Sequence, residues 1–125
     1  MEPKLSNVFP AGFPAQLAVE ALVHSGEAAW RPALAVGVVE WLGAHGFAVL
    51  GTEAWRPEGE LIQSVPYFQD ANRRAKEDWG SFVARAAAEA TDYLKAFGGE
   101  FAKEGDVFIN IVWVSESESQ NLKAI

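Results

Sequence analysis

Glu53 and Trp55 stand two residues apart in the run GFAVLGTEAW, residues 46–55. A carboxylate can accept hydrogen bonds, pair with a cation or move a proton, and an indole beside it can anchor a partner. On a partly buried strand the carboxylate needs a partner, and Arg56, Arg73 or Arg74 could supply one. Local spacing brings no second carboxylate beside Glu53, so paired-carboxylate chemistry has no support. His24 and His45 are the only two histidines. Each reads as lying near a helix C-terminus, where an imidazolium interacts favourably with the dipole. No HxxxH or HxE spacing accompanies them, and the chain has no Cys, no GxSxG elbow, no P-loop and no dinucleotide-binding glycine pattern. A Ser-His-Asp arrangement assembled by the fold stays open at this level. The expectation is a protein without enzymatic activity, metal or cofactor.

The elements that must position these residues follow from periodicity and punctuation. Residues 1–13 read as irregular, 14–114 as a single α+β domain and 115–125 as a flexible acidic tail without periodicity. Pro14 opens a first helix with Leu17, Ala18, Ala21 and Leu22 on one face, ending at Ser25-Gly26. Trp30 falls in the loop before Pro32. Pro32 opens a second helix, about 33–45, apolar nearly all round and therefore buried on several sides, with Gly46 as a left-handed cap. Strands are expected at Phe47–Trp55 and Leu61–Phe68, joined by a turn over Arg56–Glu60. Alternation would put Phe47, Val49, Glu53 and Trp55 on one face. Pro66 marks the second strand as an edge or a bulge. Asp70 or Asn72 would cap the third helix, about 74–97, whose stripe of Trp79, Phe82, Val83, Ala86, Ala90, Tyr93, Leu94 and Phe97 has helical spacing. Gly80 inside it suggests close approach by a neighbour. DVFINIVWV, 106–114, reads as a central strand. The predicted architecture is three helices on a small, mostly antiparallel sheet, in the order α-α-β-β-α-β.

A formal net charge of −7 argues against direct binding of nucleic acid or anionic lipid and favours a basic partner. No apolar run approaches the roughly 18 residues of a membrane span, the N-terminus does not read as a signal peptide, and the absence of Cys fits a reducing cytoplasm. Five Trp in 125 residues serve cores and interfaces equally well. The partner-binding candidates are Glu53, Trp55, Glu58, Glu60 and Tyr67. The competing readings are a solvated surface for the carboxylates and a core role for the aromatics.

Trp30, the segment VVEWLGAHGFAVLGTEAW, the strand SVPYF, the long helix and VFINIVWV together resemble the immunity protein 40 family of bacterial polymorphic-toxin systems. Leu50, Gly51, Glu53 and Trp55 match that family's LGGEVW-like motif. Thr52 replaces a glycine, Ala54 replaces a β-branched residue, and Tyr67 or Phe68 stands for a tryptophan. The resemblance covers about three quarters of the chain. It implies a cytoplasmic antitoxin that binds and neutralises a cognate toxin domain, basic if the toxin is a nuclease. The rival reading is a small-ligand-binding or structural domain, homo-oligomeric through the apolar second helix.

Overall fold

The computed structural model describes residues 8–103 and 105–123. Its elements are α1 (Ala15–Val19), β1 (Leu22–His24), β2 (Glu27–Trp30), α2 (Pro32–Ala44), β3 (Ala48–Glu58), β4 (Leu61–Asp70), α3 (Trp79–Ala96), α4 (Gly98–Lys103), β5 (Phe108–Val114) and α5 (Glu116–Lys123). The class is α+β, as the patterning indicates. The sheet is antiparallel throughout, in the order β1-β2-β5-β3-β4. Five strands and five helices among the described residues replace the simpler order expected.

The extra strands come from a segment read as helix and loop. Ser25 and Gly26 take φ of 52° and 78°, and His24 pairs with Glu27 across them. Two successive left-handed residues form the tight turn that matches strand twist. A Ser-Gly pair read as a helix end therefore turns a hairpin. Trp30, expected in a loop, ends β2 and is fully buried, with its indole Nε1 donating to the Leu17 carbonyl at 2.7 Å. Residues Phe9 and Phe13, from the segment read as irregular, stack on each other and close over Trp30.

Helix α2 buries Ala35, Val38, Val39 and Leu42. The same helix packs closely on α3: a Cβ at Gly43 would lie 2.9 Å from Ala87 Cβ. Its apolar circumference thus meets both the sheet and a neighbouring helix. Of the stripe its spacing predicts, helix α3 buries Phe82, Val83, Ala86, Ala90 and Leu94, while Trp79 and Tyr93 are half-buried and Phe97, just past the helix, is exposed. Burying each large apolar side chain of this kind stabilises by about 1.5–3 kcal/mol. The helix starts at Asp78, whose carboxylate accepts from the Ser81 backbone N–H at 2.8 Å, and not at Asp70 or Asn72. That capping bond, made by the charged form, lowers the Asp78 pKa. Gly80 is not a close approach, since a Cβ there would meet only Asp78 Oδ1 at 3.5 Å.

The acidic segment after β5 is a helix and not an irregular tail. Glu118 N–H donates to Ser115 Oγ at 3.2 Å, and Ser115 N–H donates to Glu118 Oε1 at 2.9 Å. This reciprocal pair is a capping box, and its S-x-x-E spacing stands in the sequence.

Candidate site on the open sheet face

Two irregularities decide which side chains reach which face. Between Val49 and Gly51 the pairing of β3 with β5 slips, leaving Leu50 as an extra residue. Val49 therefore joins the core, while Glu53 and Trp55 face the other way. The uniform alternation expected for Phe47, Val49, Glu53 and Trp55 fails for this reason. Opposite, β4 is an edge strand with its own bulge: Glu53 pairs with Phe68 and Ala54 with Val65, so Pro66 and Tyr67 are left over. Pro66 lies where a missing N–H costs least.

Across β5, β3 and β4 the face opposite Val49 reads as a grid. One row is Val112, Gly51 and Asp70; the next is Asn110, Glu53 and Phe68; the third is Phe108, Trp55 and Ser64. Val112 and Phe68 are large apolar side chains left in solvent, 39% and 73% exposed. Gly51, Glu53, Phe68, Asp70, Asn110 and Val112 line a shallow groove of about 300 Å³. The groove exists because Gly51 carries no side chain between Val112 and Asp70. A Cβ there would lie 2.9 Å from the backbone oxygen of Gln69.

Glu53 is half-buried and accepts a hydrogen bond from Ser64 Oγ on β4. None of the three arginines proposed for it is its partner: Arg56 bonds Gln63 and reaches Glu58, while Arg73 donates to the Glu77 carbonyl and lies over Trp79. Among the described residues no Lys or Arg pairs with Glu53 or Asp70. Asn110 is 2% exposed, and its Nδ2 donates to the Ala28 carbonyl at 3.0 Å. Trp55 is 6% exposed and meets His24 of β1 edge to face.

The remaining candidates lie elsewhere. Beyond Trp55 and Phe108 the β3–β4 hairpin continues without β5. Glu58 and Glu60 are exposed at its tip, seven and nine residues on from Gly51, so about 23 Å or more away at strand rise. Tyr67 joins the helix side, edge-on to Phe101 at 5.4 Å between centroids and next to Phe97. The five candidates thus divide into two on the open face, two at the hairpin tip and one against the core. Asp70, Asn110 and Val112 complete the groove beside Phe68 and were not singled out as partner contacts. An isolated Asn in the middle of an otherwise apolar central strand was the signal available for one of them.

His45 caps the C-terminus of α2, with Nδ1 2.8 Å from the Trp41 carbonyl and the ring stacked on Trp41. His24 lies in β1, away from any helix end. No group of three potential metal ligands occurs among the described residues, and none of their helices is long and apolar enough to cross a membrane. No protein-family model, no curated protein and no solved structure matches this chain.

Proposed function

We propose that this protein is a bacterial immunity protein that acts in the cytoplasm by binding a cognate toxin domain and blocking it, without chemistry of its own. One observation carries the reading. Two of the residues that bear the family resemblance, Gly51 and Glu53, line the groove on the open sheet face; Leu50 forms the bulge beside it and Trp55 lies one row further along the same face. A face that combines solvent-exposed Phe68 and Val112 with unpaired carboxylates has the composition of a protein-binding surface. The net charge of −7 favours a basic partner and fast association.

The test is to look for a toxin gene adjacent to this chain's gene and to co-express the two. Protection of growth, together with a one-to-one complex on size exclusion, is the expected result. A toxin that kills equally well with and without this chain, and forms no complex with it, ends the reading.

A further inference from the structure

We propose that the groove over Gly51 receives a single lysine or arginine side chain carried on a protruding segment of the partner protein, an assignment that rests on the immunity reading. The groove is built for a side chain with an apolar stem and a charged end. Its two exposed apolar groups, Val112 and Phe68, stand on opposite sides of β3. Its two carboxylates, Glu53 and Asp70, sit diagonally on neighbouring strands, an arrangement that spaces such positions by about 7–8 Å. A cation between them reaches both, while its methylene stem lies along Phe68 and Val112. The ring of Phe68 adds attraction for a cation over its face.

Charge complementarity selects this occupant over an apolar or acidic one. No cationic side chain lines the groove, and none among the described residues neutralises either carboxylate. Among the described residues the one side chain that donates to either carboxylate is the neutral Ser64 hydroxyl, on Glu53, so both negative charges stay uncompensated. The hairpin-tip pair Glu58 and Glu60 has charge as well, beside the exposed Leu61, but Arg56 already reaches Glu58 at 3.8 Å, so the tip steers a basic partner without seating one particular side chain.

The experiment titrates the isotope-labelled full chain with acetyl-Gly-Arg-Gly-amide and, separately, acetyl-Gly-Gln-Gly-amide, and follows backbone amide shifts. The expected result is saturable shifts clustered at Gly51, Glu53, Phe68, Asp70, Asn110 and Val112 with the arginine peptide only. The E53Q/D70N variant should bind it about threefold to tenfold more weakly, as expected for two solvent-accessible ion pairs, and E58Q/E60Q should bind it as wild type does. Glutamine at position 53 can still accept from Ser64, so folding is preserved; an unchanged amide spectrum away from the groove verifies that. Shifts spread over all acidic surfaces, or equal for both peptides, overturn the proposal. Growth protection separates the two readings. Protection that is intact in E53Q/D70N overturns the groove assignment and leaves immunity standing. No protection by the wild type, with the peptide still mapping to the groove, removes immunity and leaves the groove's preference for a basic side chain.

Discussion

His24 and Trp55 meet edge to face with ring centroids 6.2 Å apart, although β1 and β3 are separated by β2 and β5 in the sheet. In a flat sheet three strand spacings would hold them about 14 Å apart. The contact therefore measures how strongly the sheet curls, and it explains why Ala29, Asn110 and Trp55 are buried on the face opposite the core cluster. Trp55→Ala should lower folding stability by about 3–5 kcal/mol, read from denaturant unfolding. His24→Ala should cost much less and should change the Trp55 fluorescence. A Trp55→Ala protein of wild-type stability would mean that the curl is not held from this side.

Gly43 and Gly80 both lie within helices, and alanine should act in opposite directions at the two. At Gly43 the new methyl would stand 2.9 Å from Ala87 Cβ and force α2 from α3. Overpacking of this kind costs about 1–3 kcal/mol, more than the roughly 1 kcal/mol gained in helix propensity. At Gly80 the nearest atom is 3.5 Å away, so most of that propensity gain should appear as added stability. Thermal midpoints of the two variants check the sign.

Glu77 ties the loop before α3 to the helix. Its carboxylate accepts from Arg85 Nε and Nη2 at 2.9 and 2.7 Å and from the Arg74 N–H at 2.9 Å. The hydrogen bonds from Arg85, then that from the Arg74 backbone, hold its pKa near 2, below the usual 4.5. The folded value is the lower one, so this stabilisation is complete above about pH 4.5 and is lost as pH falls toward 2. Glu77→Gln should therefore destabilise at pH 7 and flatten the acid limb of the stability curve. Thermal unfolding of both proteins between those pH values decides it; parallel curves would remove Glu77 from the acid response.

Thr52 and Gln69 pair across β3 and β4, and neither the Thr52 hydroxyl nor the Gln69 amide has a protein partner for its buried atoms. Thr52 is 4% exposed. A buried hydroxyl without a partner costs about 1–3 kcal/mol. Thr52→Val, nearly the same shape, should leave stability unchanged or raise it by about 1 kcal/mol. A clear loss in chemical denaturation would instead point to a water bridging Thr52 and Gln69.

The stripe of α3 and the apolar run of β5 were legible in the sequence because each repeats with the period of its own element. The same holds for the α2 boundary at Gly46, whose φ is +83°. The β1–β2 hairpin was hidden because Ser25-Gly26 ends a helix or reverses a strand equally well, and only the pairing of β2 with β5 selects the strand. The capping box at Ser115 was present in the letters but sat in a segment without apolar periodicity. The alternation of Glu53 and Trp55 was readable, yet their relation to Val49 was not. One extra residue at Leu50 inverts every side chain before it, and that bulge is set by pairing with a strand more than fifty residues away. The sequence by itself therefore determined the core-forming elements, whose information is local and periodic. Only the tertiary structure decided the open face. There Gly51, Glu53, Phe68, Asp70, Asn110 and Val112 come together through register and bulges across three strands, which no local pattern encodes.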